Sequence, residues 1–130
     1  RTFTSSVTHV VCNGLTRSLK LLLGMVRRCH VLRATYVDAC VAANAFVDER
    51  AHLWSAVSDD ELRAMSDSDR HTVLTLRRYD GLPRGTRPFA TWHVAFVYGA
   101  EPPDDANLLR ILKNGGARIY TDADDAILSA

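Results

Sequence analysis

Short β-branched runs alternate with apolar positions at helical spacing along the first third of the chain. The run from Ser6 to Cys12 predicts a strand, and Asn13-Gly14 predicts the turn that ends it. The apolar positions that follow recur at i, i+3, i+4 and i+7, which is the spacing of one buried stripe on a helix. This stripe consists of Leu19, Leu22, Leu23 and Val26.

The polar positions of the predicted helix are basic and include a hydroxyl. Thr16 is the predicted N-cap, because a threonine oxygen can accept a hydrogen bond from a free N–H of the first turn. Arg17, Lys20 and Arg27 fall together on the side opposite the stripe, and Ser18 lies between the first two. Periodicity alone favours a solvated helix face for these residues.

A second strand and a second helix follow directly. The short apolar stretch around Val31 predicts a brief buried strand, and the segment from Ala34 to Val47 predicts a helix with Val37, Cys40 and Val41 facing inward. The order strand, helix, strand, helix predicts an α/β fold with a parallel sheet.

The composition changes between residues 48 and 88. This segment is polar and charged, ends in glycine and proline, and contains at most two modest predicted helices, at about Asp59 to Met65 and Asp67 to Arg78. A loop of this length inside one compact domain is unusual. The segment is therefore predicted to link two repeats.

Regular structure resumes with Thr91 to Tyr98, whose β-branched and aromatic residues predict a strand. Asp104 and Asp105 then suit the positive N-terminal end of a helix. Ala117 to Asp122 predicts a further strand. The helix between these strands is predicted to bury Leu108, Ile111 and Leu112 and to stop at Gly115-Gly116.

The charge of the chain is small in total but unevenly distributed. The formal net charge is +1, which does not indicate a strongly basic nucleic-acid binder. Residues 1–54 contain seven Lys/Arg and three Asp/Glu, whereas residues 55–130 contain nine and twelve. This asymmetry favours a local anion site in the first part. No apolar run approaches the roughly 20 residues that a membrane-spanning helix needs.

Neither a metal site nor an active site is predicted. Cys12, Cys29 and Cys40 are an odd set without a C-x-x-C pair, and the adjacent Cys29-His30 is poor geometry for chelation. Buried or half-buried thiols in a reducing compartment are expected instead. No G-x-S-x-G, H-E-x-x-H, Walker or G-x-G-x-x-G motif occurs, so the chain is not predicted to be an enzyme.

Several stretches resemble the BRCT family. Residues 7–11 (VTHVV) are similar to its third strand, residues 17–28 (RSLKLLLGMVRR) to its second helix, and residues 30–40 (HVLRATYVDAC) to its fourth strand and third helix. Tyr36 stands where that third helix usually has Trp. Residues 91–120 look like the first strand, first helix, double glycine and second strand of another repeat. The Ala- and Arg-rich texture is also similar to the BRCT pair of a kinetoplastid kinetochore protein.

The resemblance implies an α/β fold of tandem BRCT repeats, each a small parallel sheet flanked by helices and only partially represented. Residues 1–54 would be the C-terminal half of the first repeat, 55–88 the linker and 89–130 the N-terminal half of the second repeat. Because the first repeat lacks its opening strand, helix and second strand, and the second stops before its third strand, we expect the chain to be part of a longer protein.

The resemblance also implies a scaffold module that binds phosphoserine or phosphothreonine peptides in nuclear signalling, in a DNA-damage, checkpoint or kinetochore protein. Lys20 matches the lysine that pairs with the phosphate, Ser18 a hydroxyl that supports it, and Arg17 an arginine that reaches the peptide main chain. Pro102 and Pro103 fall at the specificity pocket between the repeats. The loop that supplies another hydroxyl and an N–H to the phosphate is absent from this sequence.

The expected partner is therefore a phosphorylated protein or peptide, bound by a monomer without a cofactor and without a membrane. Two alternatives remain open at this stage. One is a phosphate-independent interaction module, and the other is a binder of DNA ends through their terminal phosphates. A steep salt dependence with DNA would support the latter.

Overall fold

The computed structural model describes residues 3–95 and 106–120. Within these ranges, two parallel strand pairs each enclose one helix in their crossover, and further helices lie between the pairs. The first part consists of β1 (His9–Cys12), α1 (Leu19–Val26), β2 (His30–Arg33) and α2 (Thr35–Ala43). Single 3-10 turns at Arg50–His52 and Trp54–Ala56 precede α3 (Asp59–Ala64) and α4 (Asp67–Asp80), and the last part consists of β3 (His93–Ala95), α5 (Ala106–Asn114) and β4 (Arg118–Tyr120).

The elements predicted from sequence periodicity are present in the predicted order. β1 pairs with β2 so that Val10 lies beside Val31, and β3 pairs with β4 so that Val94 lies beside Ile119. Both pairs are parallel, as the strand–helix–strand order requires. The two helices expected between residues 59 and 78 are α3 and α4.

The predicted start of α1 is wrong by two residues. Ser18, not Thr16, is the N-cap: its backbone is extended and its hydroxyl oxygen accepts the N–H of Leu21 at 3.2 Å. The carbonyl of Thr16 instead accepts the N–H of Ser18 at 2.7 Å. This turn places Thr16 outside the helix, so its hydroxyl caps nothing there.

The predicted buried stripe of α1 is also only partly right. Leu23 and Val26 are buried, but Leu19 and Leu22 are half-buried, while Leu21 and Met25 are buried instead. The reason is that α1 has neighbours on several sides, so one stripe does not describe its buried surface. The cluster around it, which we call the central core, contains Leu15, Leu21, Met25, Val31, Val57, Val73 and Leu76.

Helix α2 departs most from its prediction. Val37 and Val41 were expected to face inward, but their exposed fractions are 48% and 75%, and Cys40 is half-buried. Tyr36 is the buried residue of this helix, and its hydroxyl donates to the carbonyl of Val47 at 3.0 Å. In the described part of the chain β1 has β2 on one side only, so the sheet is too narrow to cover the rest of α2.

The last part is described less completely. β3 accounts for the middle of the strand predicted from Thr91 to Tyr98, whose later residues lie outside the described ranges, as do Asp104 and Asp105. In α5 the inward prediction is wrong for Leu108, which is 46% exposed, whereas Ile111 and Leu112 are half-buried. The helix ends at the predicted glycine pair, with φ +94° at Gly116. No described helix is long and apolar enough to cross a membrane.

Candidate functional site

The N-terminal turn of α1 brings together three of the predicted site residues, Arg17, Ser18 and Lys20. Ser18 is the N-cap, Arg17 precedes it, and Lys20 is the second residue of the helix. All three are exposed, and the first turn contains no acidic residue. The positive end of the helix is therefore not occupied by a carboxylate of its own.

Ser18 can bind an anion while it caps the helix. The cap uses one lone pair of the hydroxyl oxygen, because the N–H of Leu21 donates to it. A serine hydroxyl also carries one hydrogen, which can donate to an external oxygen. The N–H groups of Leu19 and Lys20, as the first two of the helix, have no intrahelical acceptor. One turn thus offers a hydroxyl, backbone N–H groups and an ammonium to an anion.

The close approach of α1 to β1 fixes where this turn lies. Gly24 sits in the middle of α1, and a Cβ atom at that position would stand 2.6 Å from Cγ2 of Val10. Carbon atoms normally pack at about 3.5–4.0 Å, so only glycine allows this separation of helix and strand. Gly24 was not singled out from the sequence, although an isolated glycine inside a helical pattern is a signal for a close backbone approach.

A groove runs from Arg17 between α1, α4 and α5. It has a volume of about 380 Å³. Its walls are mainly apolar, with hydroxyl and imidazole groups contributed by α4. Besides Arg17 it is lined by Leu22, Met25, Val26, His71, Thr72, Thr75, Tyr79, Phe89 and Ile111. Partial burial raises the pKa of the Tyr79 phenol.

The sequence missed the contribution of α4 to this groove, because the segment was interpreted only as a linker. One signal was available: residues Thr72, Val73 and Leu76 follow helical spacing, and all three are buried. Pro102 and Pro103, the other predicted peptide-binding residues, lie outside the described residues.

Three aromatic side chains pack against their neighbours to different degrees. Trp54 donates its indole N–H to the carbonyl of Cys12 at 3.2 Å, and the guanidinium of Arg33 lies 5.2 Å from its ring centre. Trp92 is 50% exposed and contacts Phe89, with ring centres 4.5 Å apart. His93 lies in β3 and its Nδ1 is 2.9 Å from the Tyr120 hydroxyl oxygen.

The three cysteines are half-buried and free, in line with the expectation of buried or half-buried thiols. Burial raises the pKa of the Cys12 thiol, and also that of Cys29, where nearby Arg27 and Arg87 act in the opposite direction. A raised pKa makes these thiols poor nucleophiles at neutral pH. Within residues 3–95 and 106–120, no three His, Cys, Asp or Glu side chains are arranged to hold a metal ion.

A larger depression, of about 880 Å³, lies beside β1 and α2. Its apolar walls include Val11, Leu32 and Val37, together with Phe46, which is 94% exposed. None of the predicted phosphate- or peptide-binding residues lines it. It is a surface separate from the turn at Ser18.

Comparison with known proteins bears on the fold. No family model matches the chain. The chain is similar to the solved structure of the BRCT5–BRCT6 domains of S. pombe Brc1, with a TM-score of 0.55 and 20% sequence identity. The match covers 88% of this chain and 51% of that chain, so the chain spans about half the length of that domain pair. This likeness confirms the predicted BRCT-like α/β fold of small parallel sheets flanked by helices. It does not bear on the similarity to a kinetochore protein.

Proposed function

We propose that the chain is a protein-interaction module that binds a phosphoserine- or phosphothreonine-containing peptide at the N-terminal turn of α1. The observation that carries this proposal is the geometry of Ser18, whose oxygen caps the helix while its hydroxyl hydrogen has no acceptor within the described residues, two positions before Lys20. A phosphate carries about −1.5 to −2 charge at neutral pH and three strong acceptor oxygens. Such a dianion matches the donors of this turn.

Each predicted residue has a separate role in this proposal. Lys20 supplies a point charge to the phosphate, and Ser18 donates its hydroxyl hydrogen to a phosphate oxygen. Arg17 stands between the phosphate position and the groove, and its planar guanidinium suits a peptide carbonyl or carboxylate. The peptide residues after the phosphate would then follow the groove between α1, α4 and α5, with Pro102 and Pro103 contributing to specificity.

The remaining parts of the proposal concern context. We assign residues 1–54 to a first BRCT repeat, 55–88 to a linker and 89–130 to a second repeat, acting as a monomer. We also assign this module to the nucleus, in DNA-damage, checkpoint or kinetochore signalling, as the resemblance of its sequence to BRCT repeats implies. The module holds its partner and carries out no chemistry.

The test uses a degenerate peptide library with a fixed central phosphoserine or phosphothreonine, and the same library with unmodified residues. Binding to the whole chain is measured by fluorescence anisotropy. We expect the phosphorylated library to bind and Lys20→Met to weaken it by about tenfold or more, since a charge-assisted hydrogen bond is worth about 1.5–3 kcal/mol. Arg63→Met is the matched control, because Arg63 is an exposed cation on α3.

Ser18→Asp separates capping from phosphate binding. Aspartate is as good an N-cap as serine, so the thermal stability should be retained. Its negative charge should repel the phosphate and abolish binding. If the unmodified library binds as tightly as the phosphorylated one, or if Lys20→Met and Ser18→Asp leave affinity unchanged, the interaction is phosphate-independent and the proposal is wrong.

A further inference from the structure

Five cationic side chains lie on one surface, which is formed by the C-terminal end of α1, the turn after α4 and the C-terminal end of α5. Two adjoining depressions, of about 640 and 290 Å³, share Arg27 and Arg87 in their walls. We call the five residues the basic surface: they are Arg27, Arg28, Arg84, Arg87 and Lys113.

Three of the four arginines of this surface are held in place by neutral groups. Arg27 donates to the side-chain oxygen of Asn114 at 2.7 Å, and Arg87 donates to the backbone carbonyl of the same residue at 2.8 Å. Arg28 donates to three carbonyls of the turn after α4, at 2.7, 3.1 and 3.2 Å. A carbonyl orients a guanidinium but leaves its positive charge uncompensated.

Carboxylates do not neutralise this surface. The ion pairs within the described residues use other cations, namely His9, Arg33, Arg50, Arg63 and Arg70. Asp80 is the one acidic residue in the walls of the two depressions, and it forms no ion pair within the described ranges. A chain whose formal net charge is +1 thus gathers five positive charges and one negative charge in one place.

At Arg28 the backbone adopts a conformation that residues other than glycine rarely take. Arg28 has φ +59°, in the left-handed region. A residue with a Cβ atom is disfavoured there. Arg28 directly follows the C-cap of α1, where a left-handed residue commonly ends a helix: its N–H donates to the carbonyl of Met25 at 3.0 Å, and the N–H of Cys29 donates to the carbonyl of Gly24 at 2.9 Å. The helix end and the hydrogen bonds to carbonyl and amide oxygens therefore hold three of the five cations, Arg27, Arg28 and Arg87, in place.

We propose that the basic surface binds the phosphate backbone of duplex nucleic acid, independently of peptide binding at Ser18. Phe, Tyr and Trp are absent from the walls. Their one aromatic ring, the imidazole of His30, already packs against His9 with ring centres 4.8 Å apart, which disfavours stacking of the unpaired bases of a single strand. Leu82 is their one large apolar side chain, so they offer little to the side chains of an acidic peptide. Arginine forks suit phosphate oxygens, and backbone recognition needs positive charge without a pocket.

The salt dependence follows from the number of phosphates contacted. With about four phosphates neutralised, the logarithm of the binding constant should fall with the logarithm of salt concentration with a slope of about −3.6. Removing two contacts should bring the slope to about −1.8. These slopes distinguish contacts at this surface from a diffuse attraction of the whole chain.

The experiment measures anisotropy of a short fluorescein-labelled duplex with the whole chain over a series of salt concentrations. The variant is R84E/K113E, because both residues are exposed and neither forms a side-chain hydrogen bond or ion pair in the described part of the chain. We expect at least about tenfold weaker binding and the shallower slope. The matched control R50E/R63E changes the net charge equally on other elements and should retain the affinity within about twofold. Circular dichroism melting confirms that the variants are folded.

Three results would overturn the proposal. If R50E/R63E weakens duplex binding as much as R84E/K113E does, only the total charge of the chain matters. Equal competition by polyglutamate at the same charge concentration would indicate an acidic peptide as the ligand. A duplex closed by hairpin loops at both ends should bind as well as an open one; loss of binding to it would assign the interaction to DNA ends instead.

Discussion

Replacing Gly24 by alanine should force α1 away from β1, and the size of the effect can be estimated from the contact with Val10. The new methyl carbon would stand 2.6 Å from Cγ2 of Val10. This is about 1 Å less than an ordinary carbon–carbon contact of about 3.5–4.0 Å. Overpacking of this kind costs about 1–3 kcal/mol. Alanine returns up to about 1 kcal/mol through its higher helix propensity, so the net loss should be about 0–3 kcal/mol.

A double-mutant cycle with Val10→Ala isolates the steric term from the propensity term. Val10→Ala removes both γ-methyl groups and leaves space for the methyl group that Gly24→Ala introduces. The double variant should therefore be more stable than the sum of the single effects by at least about 1 kcal/mol, a coupling that residues in direct contact can show. Helix propensity is the same in both backgrounds and cancels.

The assay is urea unfolding followed by circular dichroism, with the free energy of unfolding taken by linear extrapolation. Gly14→Ala is the matched control, because no atom lies within 4 Å of a Cβ at that position. If Gly24→Ala and Val10→Ala are additive within about 0.5 kcal/mol, the two residues are not in contact and the reasoning fails.

Three further predictions concern single side chains. Arg77→Met should cost about 2–3 kcal/mol in urea unfolding, because it removes two hydrogen bonds, of 2.8 and 2.7 Å, to carbonyls just before α3, whereas the exposed Arg78→Met should cost little. Asn44 ends α2 at φ +49°, so Asn44→Gly should keep or raise the free energy of unfolding, whereas Asn44→Ala should lower it by about 1 kcal/mol. Equal effects of the two substitutions would contradict a left-handed cap. Hydrogen bonding from Arg50 lowers the pKa of Asp48 to about 2, so this pair contributes to stability at neutral pH and loses that contribution as the pH falls from about 4 towards 2. An NMR titration should show the low pKa, and Arg50→Met should return it to the ordinary range.

The sequence predicted the elements well where local pattern decides them. β1, β2 and α1 follow from β-branched runs and helical spacing, which depend on neighbouring residues alone. The buried set of α1 could not be predicted in full, because the cluster that contains Leu21 and Met25 is completed by Val57, Val73 and Leu76, more than 30 positions further along the chain. In α2, burial likewise depends on the width of the sheet beside it, which no local pattern reports.

In the candidate site, too, local sequence predicted some features, and others depend on residues that are distant in the chain. The helical pattern predicted that Arg17, Ser18 and Lys20 lie at the start of a helix, and they do, while the roles that the resemblance gives them stay predictions. It did not show that the Ser18 hydroxyl would itself cap the helix, since Thr16 was an equally good hydroxyl two residues earlier. The basic surface was also missed, because Arg27, Arg84 and Lys113 are far apart in sequence and meet only through the packing of α1 and α5.

The central core has a consequence for how the first part of the molecule opens. Because Val57, Val73 and Leu76 complete the cluster around Leu21 and Met25, helix α4 cannot separate from α1 without exposing that whole cluster to water. Local opening in proteins occurs in cooperative units of this kind. The amide protons of α1 and α4 should therefore exchange with solvent at one common free energy of opening. The segment between the two strand pairs is therefore expected to unfold together with the first strand pair and α1.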